Sequence, residues 1–250
     1  MLAEMLDKTK RDCWKIIHDT YPEKLDKHAI VRELIGRTLQ AGDVVLDAGC
    51  GHESHVPQRD RVPFALIGFD MVWEDVRQNH SVDLGLVSDI STVPLRSESV
   101  DIVSCNMVLE HLREPDKVFR ELSRVLRKGG HLIVMTPSIF NIVTIVNGLI
   151  PNRFHPKIAY YLTGVNESDT FPTYYRANSI GRLRQLLACS QMQETEVLMY
   201  QPPPYAFVFS RLICRIVIAY YHFINTWEWL GPLRGVIIAR YRKVGDTPLS

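Results

Sequence analysis

The run Val44-Val45-Leu46 reads as a buried strand that breaks at Asp47-Ala48-Gly49-Cys50-Gly51, and little else a chain can do follows a strand with that turn. Glycines placed there let a ligand approach the backbone closely. Amide groups at a helix start beyond the turn can then face the ligand's polar groups. A second strand run, Phe64-Ala65-Leu66-Ile67-Gly68-Phe69, ends in Asp70. That acid falls about twenty residues after the turn, where a carboxylate suits a ribose hydroxyl pair. As a dinucleotide fingerprint the pattern is faulty. The third glycine would fall at Ser54, and Asp47 stands directly ahead of the glycines, where a phosphate has no use for it. A carboxylate in that place suits a cationic cofactor.

Three further strands are expected: Leu84–Val87, leading to Asp89; Val100–Cys105, leading to Asn106; and His131–Met135, closed by Thr136-Pro137. Pro115–Leu126 puts Val118, Phe119, Leu122, Val125 and Leu126 on one helical face, and Gly129-Gly130 stops it. Residues 3–39 read as two helices parted at Tyr21-Pro22. This alternation predicts an α/β fold with a doubly wound, mostly parallel sheet. Residues 1–40 are expected to form an N-terminal helical cap and 41–137 the α/β core. Residues 138–178 read as a substrate-side insertion that opens with a short apolar helix, Ser138–Leu149. Residues 179–250 return to the sheet through a helix at Ser179–Ala188 and strands at Glu194–Tyr200 and Gly235–Tyr241, with an apolar helical insertion at 205–230.

The stretch Leu46–Gly51 resembles motif I of the class I S-adenosylmethionine (SAM) dependent methyltransferases, and further matches follow in order. They are Asp70-Met71; Ser88-Asp89-Ile90; Val93-Pro94-Leu95 with Ser99–Val103; Val108–Leu112; and Arg124–Gly130. The ordered set covers roughly residues 42–137 and is most similar to the ubiquinone- and menaquinone-type small-molecule methyltransferases. The resemblance implies a Rossmann-like core with SAM as cofactor. It implies that Asp47, Gly49, Cys50 and Gly51 meet the amino-acid end of SAM, and that Asp70 and Met71 form the ribose and adenine edge. Ser88, Asp89 and Ile90 would meet the adenine, with Asn106, Met107 and His111 completing the site after the fourth strand. One position departs from the family pattern: Glu53 stands where a further glycine is common.

Transfer of a methyl group is an in-line displacement, so the protein's main tasks are positioning and exclusion of water. A general base is needed only if the acceptor keeps its proton near neutral pH. His111 and His155 are the candidates, although His111 can equally orient its loop and pack against the cofactor. Tyr160, Tyr161, Tyr174 and Tyr175 are candidates to line a substrate cavity, and Arg153 and Arg176 to bind an anionic group.

The chain is 46% hydrophobic and 23% charged, which excludes a disordered chain. Residues 1–137 carry 18 Lys+Arg against 22 Asp+Glu, and residues 138–250 carry 11 against 6, so the basic part is C-terminal. A net charge of +1, with no basic stripe interleaved with aromatics, argues against nucleic acid as partner. Five cysteines without a CxxC pair argue against a disulfide framework or a metal cluster and fit a cytoplasmic location. The segment Met1–Arg11 lacks the apolar core of a signal peptide. In 205–230 the polar stripe is narrow (Arg211, Arg215, His222, Asn225), with Trp227 and Trp229 at one end. That segment reads as a peripheral membrane contact, a homodimer surface or a core helix. The expected function is methyl transfer from SAM to an oxygen, nitrogen or carbon of a small lipophilic metabolite. The alternatives are a catalytically weak SAM-binding partner or scaffold, and an NAD-dependent oxidoreductase.

Overall fold

The computed structural model describes residues 2–21, 26–57, 62–149 and 171–245. The strands are β1 (Val44–Ala48), β2 (Ala65–Asp70), β3 (Leu84–Val87), β4 (Val100–Asn106), β5 (Leu126–Pro137), β6 (Met192–Tyr200) and β7 (Val236–Lys243). The helices are α1 (Leu2–Thr20), α2 (Lys27–Thr38), α3 (Trp73–Gln78), α4 (Pro115–Val125), α5 (Ile142–Leu149), α6 (Ile180–Ala188) and α7 (Arg211–Thr226). The chain divides into two compact units. One comprises Lys27–Pro137, Thr173–Leu198 and Ile237–Ser250; the other comprises Met1–Asp26, Ser138–Pro172 and Met199–Val236.

The larger unit is built on a seven-stranded sheet of order β3-β2-β1-β4-β5-β7-β6. The pairings from β3 through β2, β1 and β4 to β5 are all parallel, as the alternation of strands and helices predicts. All seven residues of β4 are buried, which explains why it reads as an apolar run rather than an alternating one. On α4, Val118, Phe119, Leu122 and Val125 are buried, and Pro115 occupies the first turn, where its missing N–H costs nothing. Arg124 of α4 donates to the carbonyls of Val93 (3.0 Å) and Leu95 (2.9 Å), while Glu121 accepts from the Val93 amide (2.8 Å). That pair fastens the loop between β3 and β4. Because the chain runs from β1 outward to β3 and then returns to β4 on the other side of β1, the sheet has its switch point between β1 and β4. Ligands of such sheets bind outside the carboxyl ends of the strands at that point.

One expectation finds no counterpart among the described residues. No helix follows the glycine turn there; the described residues between β1 and β2 are turns, bends and irregular chain. The connection carries Pro57 and Pro63, and of residues 52–57 only Val56 is buried, so that described stretch presents no apolar helical face. The amides at this turn are therefore those of the turn itself. Boundaries also move. The helix expected from Ser138 starts at Ile142, because the Asn141 side chain accepts from the Val143 amide at 2.9 Å. The 205–230 segment is not one helix. Ser210 caps α7, and short 3-10 turns at Tyr205–Phe207 and Glu228–Leu233 flank it.

In the smaller unit α1 and α7 share a core of Cys13, Ile17, Val208, Cys214 and Ile218. Arg211 pairs with Asp12 at 3.1 Å, and Trp14 stacks on Tyr205 with ring centroids 5.1 Å apart. A second cluster gathers Val217, Tyr221, Ile224 and Leu230. No helix among the described residues is long and apolar enough to cross a membrane.

Candidate functional site

The site grows from the carboxyl end of β1. Gly49 and Gly51 have φ of +79° and +52°, in the left-handed region that favours glycine. A methyl group on Gly49 would lie 2.4 Å from Cγ2 of Val108, so a bare backbone is required where the turn passes the segment leaving β4. The amides of Gly49 and Cys50 both donate to the Phe69 carbonyl, at 2.9 and 3.0 Å, fixing the turn to the end of β2. The Gly51 amide donates to Oδ2 of Asp70 at 3.1 Å, and the Val72 amide donates to Oδ1 at 3.0 Å. The Ser88 amide donates to the Asp70 carbonyl (3.1 Å), which brings the next loop to the same edge.

Asp47 is buried, and the Ser54 hydroxyl donates to its Oδ2. Burial pushes its carboxyl up to about 6, against the lowering effect of the Ser54 bond; the nearby Asp70 charge pushes it further up. A buried acid in that state becomes fully ionised when a cation is placed beside it. Cys50 points its sulfur back onto Gly68, where a methyl group would lie 2.9 Å from it. Its thiol is pushed up to about 12, by burial first and then by the Asp47 and Asp70 charges, so it is an inert packing group.

On the other side of the switch point, Asn106 is buried. Its Nδ2 donates to Ser104 at 2.7 Å, and its Oδ1 has no hydrogen-bond partner. Met107 follows with φ of 55°, and its amide donates to the Met135 carbonyl at 2.7 Å. In the third loop the Asp89 Oδ1 accepts from the Ser91 amide at 2.7 Å; that bond is the main reason its carboxyl is held below the usual range. Ile90 is buried, whereas Met71 is 65% exposed and free to cover a ligand. His111 ends a 3-10 turn, its amide donating to the Val108 carbonyl at 2.9 Å. The structure thus brings Asp47, Gly49, Gly51, Asp70 and the Ser88–Ile90 loop to one strand-end edge, with Asn106, Met107 and His111 leaving the adjacent strand. His155, Arg153, Tyr160 and Tyr161 lie outside the described residues.

Several residues join the site without a signal in the sequence pattern. Ser54 reads only as a missing glycine, yet it is the partner of Asp47. Asn79, past the end of α3, donates to the carbonyls of Cys50 (3.3 Å) and Gly51 (3.0 Å), and Ser81 accepts from the Ser54 amide at 2.9 Å. Glu110 is buried beside His111 and accepts from the Thr136 hydroxyl at 3.2 Å, while Asn178 donates to that hydroxyl. Burial raises the Glu110 carboxyl, and the neighbouring hydrogen bonds and His111 oppose the rise. The Glu110 carbonyl accepts from the amides of Tyr174 (2.7 Å) and Tyr175 (3.2 Å), which places two of the expected cavity tyrosines at this rim. Glu53 is exposed and does not fill the turn.

Comparison with known proteins agrees with this geometry. Residues 46–134 match the family described as "Methyltransferase domain". The chain is 28% identical over 131 residues to a ubiquinone biosynthesis O-methyltransferase of Cupriavidus pinatubonensis, covering 49% of this chain and 50% of that protein. It is 28% identical over 137 residues to a demethylmenaquinone methyltransferase of Chlamydia trachomatis, covering 52% of this chain and 60% of that one. The match therefore spans little more than half the length of these relatives. Among solved structures, geranyl diphosphate C-methyltransferase from Streptomyces coelicolor superposes with a TM-score of 0.58 at 17% identity, covering 86% of this chain and 77% of that one. Its identity is low enough that it speaks for the fold alone. With the strand order, the turn after β1 and the family match on one stretch of chain, the sheet has the Rossmann-like fold and residues 46–134 resemble a methyltransferase domain.

Proposed function

We propose that the protein transfers a methyl group from SAM to a small, lipophilic acceptor. The observation that carries this reading is the buried Asp47 carboxylate at the glycine turn, one strand from Asp70. An acid beside the glycine turn repels a pyrophosphate and attracts an ammonium and a sulfonium. The residues present fit SAM: Asp47 and the Gly49–Gly51 backbone for the amino-acid end, Asp70 for the ribose, Ser88–Ile90 and Met71 around the adenine. The unpartnered Asn106 Oδ1 supplies one more acceptor. When bound, SAM supplies a methyl group on a positively charged sulfur.

This chain's own part is to hold and enclose. Asp47 and Asp70 neutralise and orient, and Val108 and Met107 shape the rim. Glu110, fixed by Thr136, supports the turn that carries His111. Where an acceptor keeps its proton, His111 is the candidate base among the described residues, and it can equally orient its loop against the cofactor. The names of the two curated relatives support a quinone-like acceptor. A peripheral membrane contact, in keeping with a cytoplasmic enzyme, is supported by α7. Its Leu212, Ile216 and Phe223 recur at helical spacing and are 69%, 58% and 55% exposed, and Trp227, just past its end, is 51% exposed.

Titration calorimetry with SAM and with NAD separates the two cofactor classes: heat with SAM alone is expected, and heat with NAD alone overturns the reading. Incubation with labelled SAM and a fractionated cell extract, followed by mass analysis, then identifies the acceptor. SAM binding without any labelled product favours the scaffold alternative.

A further inference from the structure

Beside the N-terminus of α4 lies a cavity of about 390 Å³. It is lined by Arg113, Lys117, Arg120, Arg176 and Arg182, with Glu114, Pro115 and Asp116. Five cationic side chains face two acidic ones, leaving three positive charges uncompensated. Asp116 is already engaged by Arg182 at 3.6 Å. Arg176 is held in place, donating to the Arg113 carbonyl at 2.7 Å and lying over the Tyr174 ring at 5.7 Å. Among the described residues neither Arg113 nor Arg120 forms an ion pair. Side chains from the β4–α4 connection, the first turns of α4, the 174–176 segment and α6 thus bring like charges together, although mutual repulsion would disperse them on an ordinary surface.

We propose that this cavity binds the phosphoryl or diphosphate group of a ligand. One carboxylate cannot balance three charges, whereas a phosphate monoester brings about two negative charges and a diphosphate more. Guanidinium groups match phosphate oxygens in a two-pronged geometry, and four of the five cations are arginines. The cavity volume is that of a small-molecule site. Arg113 lies two residues beyond His111, and Lys117 is close enough to Asp89 to lower its carboxyl, after the larger effect of the Ser91 bond. A phosphate held here lies beside the same strand-end edge as the candidate SAM site, and its binding is measurable without methyl transfer.

The test is titration calorimetry of the full chain with inorganic pyrophosphate at physiological ionic strength. Saturable binding is expected, weakened roughly tenfold or more in the Arg113→Ala/Arg120→Ala double variant. Arg77→Ala, outside the cavity and paired with Glu74, is expected to leave it unchanged. Both cavity arginines are exposed, so melting temperature checks that the double variant is folded. Vesicles of phosphatidic acid, against phosphatidylcholine, distinguish the source. If pyrophosphate displaces the protein from phosphatidic acid, the site accepts a lipid headgroup; if pyrophosphate binds and vesicles do not, the phosphate is that of a soluble ligand. Absence of pyrophosphate binding, equal binding by the double variant, or equal loss in Arg77→Ala overturns the proposal.

Discussion

At the scale of single residues, Asp47 sets the behaviour of the site. Its carboxyl lies near 6 in the fold against 3.8 for the free group, so the folded chain holds that proton more tightly than the unfolded chain. Stability is therefore highest at the acid end of this window and falls as pH rises through it, by about 3 kcal/mol for this group. Asp47→Asn is expected to flatten that dependence and raise the melting temperature near pH 8, while weakening SAM roughly tenfold or more. Melting curves and calorimetry across pH 5 to pH 8 check both effects. In the native protein SAM affinity should fall below about pH 6, where the cation must displace the Asp47 proton. Asp70→Ala removes the acceptor of the Gly51 and Val72 amides as well as the expected ribose contact. SAM affinity is expected to drop roughly tenfold or more, and an unchanged affinity removes Asp70 from the site.

At the scale of elements, the turn after β1 and the segment after β4 depend on one another. Gly49→Ala drives a methyl group into Val108 and strains a backbone at φ of +79°. A loss of roughly 2 kcal/mol or more is expected in denaturant unfolding, together with loss of SAM binding. Adding Val108→Ala removes Cγ2, leaving the nearest Val108 contact at 3.6 Å, and should recover the steric part but not the part due to φ. No recovery at all would mean that the backbone conformation alone decides the residue. α4 works at the same scale: through Arg124 and Glu121 it holds the Val93–Leu95 loop, so its amphipathic face serves both the core and the cofactor edge.

At the scale of the molecule, the family match at 46–134 falls within the larger unit, and the smaller unit lies outside that match. α7 buries Cys214, Val217, Ile218, Tyr221 and Ile224 on one side and exposes a second apolar stripe on the other. Ile216→Gln/Phe223→Gln alters only exposed positions, so the melting temperature should stay the same. If the stripe meets lipid, sedimentation with vesicles should fall severalfold in that variant, and equal sedimentation of both proteins retires the membrane contact.

The strand and helix pattern from Val44 to Pro137 was legible in the chain itself, because β1, β4 and β5 are largely buried runs closed by polar or glycine residues and α4 has a clean helical period, while β3, exposed at the sheet edge, leaves the weakest signal. Asp47, the glycines and Asp70 could be singled out for the same local reason: strand ends and turns write themselves into adjacent residues. A helix start after the turn was expected from the glycine pattern, and the described residues there, polar and followed by Pro57, form none. Only tertiary structure paired Ser54 with Asp47, set Asn79 under the glycine turn, and gathered Arg113, Arg176 and Arg182 around one cavity. Those contacts join residues distant in sequence, through polar side chains whose partners are chosen by where the sheet and its helices bring them, and no local periodicity records that choice.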